Sequence, residues 1–285
     1  LFKKIVIADN CAEYANEIFN HSAAYSGSTL LLGALFFSFQ IYCDFSGYSD
    51  IALGTARLFG VDLLRNFAFP YFSRDIAEFW RRWHISLSTW FRDYLYIPLG
   101  GSKGGTLMKV RNTFIIFLVS GFWHGANWTF IIWGALNAIY FLPSLLRNKN
   151  RDNLGTVAAG KYLPTLKELM NMGITFALTV FAWIFFRAES VTQAFQYIRT
   201  IFSRSLFTMP DSMAFAHSQN NFLIMILLLL FFIIIEWIGR ERQYAIAGIG
   251  LKLPRMLRWG FYFFLIFLMA MYMSTSGSAF IYFQF

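Results

Sequence analysis

The chain has 285 residues, of which 57% are hydrophobic, 20% aromatic and 14% charged, and its mean hydropathy is +0.50. Soluble globular domains carry about 25% charged residues, so this composition excludes an ordinary soluble enzyme and predicts an integral membrane protein. The net charge of +9 is typical of positive loops beside a bilayer, and we expect no nucleic-acid partner.

Five uncharged stretches are long enough to enter a bilayer, whose hydrocarbon core requires about 20 apolar residues per helix. They cover residues 18–43, 112–146, 169–186, 212–235 and 259–285. We therefore predict an all-α polytopic integral membrane protein with tilted, re-entrant and interfacial helices. Because the chain opens on Leu1 rather than Met, we also expect an amino-terminal portion to precede it.

The first segment, residues 1–17, is predicted to be an interfacial helix with a solvated charged face that leads into the first span. That span ends in a run, residues 40–52, that contains Asp44 and Asp50. The two carboxylates are six residues apart and have no histidine nearby in sequence, so they are not neighbours on one helix face. We predict no metal site there.

A polar segment follows over residues 56–111, and its nine basic residues predict a cytoplasmic location. Within it, we expect Ser73 to cap a helix in which Glu78 pairs with Arg82 four residues later. Helical spacing predicts one packed face formed by Trp80, Trp83, His84 and Leu87. An imidazole on such a face needs a polar partner, so His84 is a candidate functional residue.

The longest uncharged stretch, residues 112–146, contains one histidine, His124. Such a residue is either a core histidine bonded to a neighbouring helix or a functional group. The small and polar neighbours Gly121, Gly125 and Asn127 allow another backbone or a ligand to approach closely, which favours function. The stretch is too long for one crossing and too short for two, so we predict a break between Gly121 and Asn127.

The later loops differ in their basic residues. Residues 147–168 and 240–258 contain five each and residues 187–211 contain three. The positive-inside rule therefore predicts that the first and third loops are cytoplasmic and that the carboxy-terminus lies outside.

Several blocks, taken together, resemble a known family. They are residues 40–52, 79–88, 94–101 and 121–134, the last containing Trp-His-Gly-Ala-Asn-Trp-Thr-Phe. In this order they resemble the membrane-bound O-acyltransferases, in the branch of the alginate O-acetyltransferases. The resemblance implies a bundle of that family's type, with residues 1–285 as a single membrane-embedded domain that forms the carboxy-terminal portion of the full length.

The resemblance also implies that His124 is catalytic and that His84 is its companion. Acyl transfer from a thioester to a hydroxyl needs a base and a donor to the oxyanion. We assign the base to His124, while His84 either orients the acceptor or donates to the thioester carbonyl. Asn127 is a weaker oxyanion candidate, and Asp44 and Trp123 are supporting candidates. We expect acetyl-CoA, or another acyl thioester, as co-substrate, no bound cofactor and no metal.

The predicted location is the bacterial cytoplasmic (inner) membrane, with multiple passes through the lipid bilayer. The predicted partners are an acyl-CoA donor and either a polysaccharide acceptor or a secreted, periplasmic acyltransferase. The tail that ends the chain includes Tyr282, which is either an aromatic interface anchor or an acyl relay to such a partner.

Two other classes of function remain open from the sequence. A transporter would also place polar groups in a broken helix, but it predicts paired charges along a pathway. A non-catalytic membrane scaffold for a periplasmic acyltransferase has no use for His84 and His124.

Overall fold

A computed structural model of the protein describes residues 1–211, 219–249, 251 and 254–274. Over these residues the chain is helical and has no strand, which confirms the all-α prediction. The α-helices are α1 (Asp9–Asn20), α2 (Gly27–Leu58), α3 (Ile76–Arg82), α4 (Ile85–Phe91), α5 (Gly105–His124), α6 (Trp128–Leu146), α7 (Leu166–Arg187), α8 (Val191–Ile201), α9 (Gln219–Gly239) and α10 (Arg255–Tyr272).

The helices belong to two compact units. The first comprises Leu1–Leu63 and Phe195–Phe285, and the second comprises Leu64–Ala194. The prediction of one domain over residues 1–285 stays a prediction.

Five of the described helices are long and apolar enough to cross a membrane: α2, α6, α7, residues 221–239 of α9, and α10. They overlap the five predicted stretches, and the protein is a multi-pass membrane protein. Helix α5 is not among the five, because Lys109, Arg111 and Asn112 lower its hydropathy.

The amino-terminal segment is helical, but the prediction of a solvated charged face is wrong. A π-helix at Lys3–Ala8 precedes α1. Lys3 pairs with Asp50 at 3.1 Å and with Glu236 at 3.2 Å. Lys4 pairs in the same way with Asp9 at 2.9 Å and Asp44 at 2.7 Å. Carboxylates buried without a cation would be costly, so they draw the lysine ammonium groups inward.

The polar middle also differs from its prediction. Asp75, not Ser73, caps α3, because the helix begins at Ile76 and Asp75 is the residue directly before it. The Ser73 hydroxyl donates to the Pro70 carbonyl at 2.6 Å. The Asp75 carboxylate accepts a hydrogen bond from the Glu78 N–H at 2.7 Å. Helix α3 then ends at Arg82.

Beyond Arg82, the chain turns. Trp83 is extended, and His84 has the left-handed φ of 43° just before α4 begins. Trp80, Trp83, His84 and Leu87 therefore do not share one helix face, and that prediction is wrong. The physical reason is the turn, which interrupts the 3.6-residue period on which the prediction depended.

The predicted break in the longest stretch is confirmed. Helix α5 ends at His124 and α6 begins at Trp128, so the chain reverses between them and the two helices pack together. Two glycines permit the close approach of their backbones. A Cβ on Gly121 would lie 2.3 Å from the Phe130 carbonyl oxygen, and one on Gly134 would lie 2.3 Å from that of Phe117.

Replacing Gly121 with alanine is expected to destabilise this hairpin. The added methyl would meet backbone, which cannot rotate away, so α5 and α6 must separate close to His124. We expect a loss of about 1–3 kcal/mol in the free energy of unfolding, the usual cost of overpacking. The loss appears as a lower thermal midpoint of unfolding of the full-length protein in detergent.

Gly173→Ala is the matched control, because a Cβ on this α7 glycine meets nothing within 4 Å. It should leave the midpoint unchanged or raise it slightly, since alanine favours the helix. Equal midpoints for the two variants would contradict the close packing of α5 and α6.

Candidate active site

The two candidate histidines lie at the ends of two helices in the second unit. His84 is the residue before α4, and His124 is the last residue of α5. Both side chains are partly buried. Helix ends leave backbone groups and side chains accessible to a ligand in a way that helix interiors do not.

An aromatic cluster, defined as Trp83, Trp133, Trp183 and Phe186, lies against His124 and includes the residue before His84. The His124 ring lies 5.3 Å from Trp133 and 5.0 Å from Phe186, measured between ring centroids. Trp133 stacks on Trp183 at 5.7 Å, and Trp183 lies 5.1 Å from Trp83, the neighbour of His84 in sequence. The structure therefore packs His124 against a cluster whose member Trp83 directly precedes His84, although 40 residues separate the two histidines in sequence.

Electrostatics also couple the two imidazoles, both of which lie outside the five spanning helices. Burial lowers the pKa of His84 to about 4. Burial, and to a smaller extent the charge that His84 would carry, lower the pKa of His124 to about 3. Both rings are therefore neutral near pH 7, and each keeps one nitrogen lone pair that can accept a proton.

Asn127 and Trp123 flank His124. The Asn127 amide oxygen accepts from the Thr129 N–H at 3.1 Å and so caps α6, while its NH₂ donates to the Glu189 carbonyl at 3.0 Å. Trp123 is exposed, and its ring lies 4.9 Å from that of His124. The supporting roles assigned to these two residues stay predictions.

Asp44 and Tyr282 are the two remaining candidates. Asp44 belongs to the first unit, where its carboxylate pairs with Lys4. Tyr282 lies outside the described residues. Their assigned roles also stay predictions. Within the described part of the chain, no group of three or more His, Cys, Asp or Glu side chains could hold a metal ion.

The sequence reasoning missed two buried indole donors in the second unit. Among the described residues, the Nε1–H groups of Trp80 and Trp183 have no hydrogen-bond partner, and Trp183 is only 2% exposed. Both rings lie against Trp133, at 5.8 Å and 5.7 Å. A buried donor without a partner is costly, and active sites are one place where such donors occur. No local pattern identifies them, because tryptophans in apolar helices usually pack as core residues.

A charged network fixes the helix that precedes His84. The buried Glu78 carboxylate pairs with Arg82 at 2.7 Å, as predicted, and also with Arg74 at 3.0 Å. Both guanidinium groups donate in addition to the Gly155 carbonyl, at 2.7 Å from Arg74 and 3.0 Å from Arg82. This network ties α3 to the loop before α7 and so helps to position the turn at His84.

Comparison with known proteins agrees with the family resemblance of the sequence. Residues 1–182, which contain both histidines, match the family model of the membrane-bound O-acyltransferases. The chain is 45% identical to the probable alginate O-acetylase of Pseudomonas aeruginosa over 201 residues, covering 70% of this chain and 36% of that protein. It is 43% identical to the peptidoglycan O-acetyltransferase of Helicobacter pylori over 199 residues, covering 70% and 36%.

A more distant relative is the teichoic acid D-alanyltransferase of Streptococcus thermophilus. It is 37% identical over 168 residues, covering 54% of this chain and 40% of that protein. The chain thus spans less than half the length of the curated relatives that it matches.

Proposed function

Since the chain belongs to the membrane-bound O-acyltransferase family, we propose that the protein transfers an acyl group from a thioester donor to a hydroxyl of a cell-envelope or exported polysaccharide. The observation that carries this proposal is the packing of His124 against an aromatic cluster that includes Trp83, the residue before His84, together with the electrostatic effect of His84 on His124. Two neutral imidazoles and two buried indole N–H donors in the same unit are the kinds of group that acyl transfer needs.

The reaction proceeds with His124 as the general base. Its unprotonated nitrogen takes the proton of the acceptor hydroxyl as the hydroxyl oxygen attacks the thioester carbonyl carbon. The C–O bond forms, the C–S bond then breaks, and the leaving thiolate takes the proton back from the imidazolium. The products are an ester and a thiol, and His124 returns to its neutral form.

The developing oxyanion needs donors in the same site. Trp183 Nε1–H is a candidate because it is buried without a protein partner in the described structure, and Asn127 remains the weaker one. An imidazole whose pKa is near 3 is a weak base, so the imidazolium must be stabilised as it forms. A nearby oxyanion would provide that stabilisation.

We propose that the donor is acetyl-CoA or another acyl thioester, acting as a co-substrate. The names of the alginate and peptidoglycan relatives favour acetyl as the group and a polysaccharide as the acceptor. The acceptor hydroxyl belongs either to the polymer or to a secreted, periplasmic acyltransferase, and Tyr282 remains the proposed relay to such a partner. The location proposed is the bacterial cytoplasmic membrane.

Transfer from radiolabelled acetyl-CoA tests the function. Membranes that contain the full-length protein are incubated with the donor and with either alginate or peptidoglycan fragments, and matched membranes without the protein serve as the control. We expect label in one polymer above the control. Label in neither polymer, with and without the periplasmic fraction added, would contradict the acyltransferase proposal and favour the scaffold.

A further inference from the structure

Asn66 holds the turn that carries His84. The Asn66 backbone carbonyl accepts from the Ile85 N–H at 3.0 Å. Its side-chain oxygen accepts from the Ser86 N–H at 3.2 Å and from the Ser86 hydroxyl at 2.6 Å. The Ser86 oxygen in turn lies 3.5 Å from His84 Nδ1. Asn66 is 20 residues from Ser86, so no local sequence motif indicates this arrangement.

The orientation of the Asn66 amide follows from the hydrogen bonds. A backbone N–H can only donate, so the group that faces the Ser86 N–H must be an acceptor. A flipped amide would present its NH₂ to that donor and leave the Ser86 N–H without an acceptor. The oxygen of Asn66 therefore faces Ser86.

The direction of the next bond follows in the same way. The Asn66 oxygen carries no hydrogen, so the hydroxyl of Ser86 must direct its only proton toward Asn66. What Ser86 presents to His84 is then an oxygen lone pair. For Ser86 and His84 to form a hydrogen bond, the facing nitrogen, Nδ1, must carry the hydrogen. In a neutral imidazole, the other nitrogen, Nε2, then holds the lone pair.

We propose that Asn66 and Ser86 are positioning residues that hold His84 as its Nδ1–H tautomer, so that Nε2 acts as a hydrogen-bond acceptor toward the reacting hydroxyl. This inference rests on the proposed acyl transfer. It decides between the two roles left open for His84, because Nε2 without a hydrogen cannot donate to a thioester carbonyl. His84 therefore orients the acceptor.

Two further observations support this assignment. The pKa of His84, lowered by burial to about 4, keeps the ring neutral near pH 7, and only a neutral ring has a defined tautomer. The backbone of His84 is in the left-handed region at φ 43°, which is unfavourable for a histidine unless its surroundings hold it. The 3.5 Å separation is long, and catalytic hydrogen bonds commonly shorten when substrate binds.

Nitrogen NMR of the full-length protein tests the tautomer directly. The protein is labelled with ¹⁵N-histidine, and the His84 signals are assigned by their loss in His84→Gln. We expect the protonated signal at Nδ1 and the unprotonated signal at Nε2 near pH 7. Protonation at Nε2 in the unsubstituted protein would overturn the proposal. This measurement needs no turnover, so its result does not depend on whether the acyl-transfer proposal holds.

Variants link the tautomer to the rate. Ser86→Ala and Asn66→Leu should each mix the two tautomers and lower kcat about 10- to 100-fold, with a smaller change in KM. Ser86→Thr restores a hydroxyl and should recover most of the rate and the Nδ1–H signal. Ser88→Ala is the matched control, because the Ser88 hydroxyl donates to the Trp83 carbonyl at 3.3 Å and not to His84.

These outcomes separate the two proposals. A tautomer mixed by Ser86→Ala with an unchanged kcat would overturn the positioning role while leaving acyl transfer intact. The positioning role would also be overturned if Ser86→Ala and Ser88→Ala lowered kcat equally. Absence of any transfer in the unsubstituted protein would instead contradict the proposed function, and the NMR result would still decide the tautomer.

Discussion

Replacing His124 with alanine in the full-length protein is expected to reduce acetyl transfer by about 10²- to 10⁴-fold, the usual contribution of a general base. Alanine leaves no group at the aromatic cluster that can take the acceptor proton from this position. Label from radioactive acetyl-CoA, measured in membranes with matched protein levels, gives the rate. The thermal midpoint in detergent shows whether the variant still folds.

His21→Ala is the matched control for this substitution. His21 is an exposed histidine after α1, and its Nδ1 lies 3.1 Å from Glu17 Oε1. We expect it to retain the full rate. A wild-type rate for His124→Ala would make His124 a structural histidine and would contradict the mechanism. If His124→Ala disrupted assembly with a periplasmic acyltransferase but did not affect the chemistry, the scaffold function would be favoured.

Glu78→Ala should be the most destabilising single substitution among the charged residues of the second unit. Glu78 is fully buried and pairs with Arg74 and Arg82, whose side chains are only 13% and 11% exposed. Removal of one member of a buried ion pair typically costs about 3–5 kcal/mol, because it leaves uncompensated charge behind. Here, two guanidinium groups lose their carboxylate. The thermal midpoint of the full-length protein should fall markedly.

Asp93→Ala removes a carboxylate of the same unit from a surface pair. Asp93 lies 2.7 Å from Arg92, but both side chains are exposed. Solvent screens such pairs, so we expect no measurable change in the midpoint. If Glu78→Ala also left the thermal midpoint almost unchanged, the network of Glu78 with Arg74 and Arg82 would contribute little to stability. A large fall in the thermal midpoint for Asp93→Ala would contradict the expectation that only the buried ion pairs contribute strongly to stability.

Patterns of neighbouring residues in the sequence predict several features of this protein. The length of each apolar run predicts the spanning helices, because a helix must match the thickness of the hydrocarbon core. The excess length of residues 112–146, together with its glycines, predicts the reversal after His124. The pairing of Glu78 with Arg82 follows from the four-residue spacing on one helix.

Only the tertiary structure decided which distant groups meet. The depth of Lys3 and Lys4 depends on carboxylates that include Glu236, more than 200 residues later. The cap of α3 is Asp75 and not Ser73, because the fold begins this helix at Ile76.

The hydrogen bonds that Asn66 accepts from Ile85 and Ser86 also depend on the fold, since a turn breaks the helical period before Ser86 is reached. Helical periodicity and capping motifs depend on interactions between residues that are close together along the chain. Ion pairs, hydrogen-bond direction and aromatic packing between segments depend on which side chains the fold brings within a few ångströms. The sequence therefore predicted the spans and the break and named both histidines as candidates, while the fold decided which groups surround each histidine.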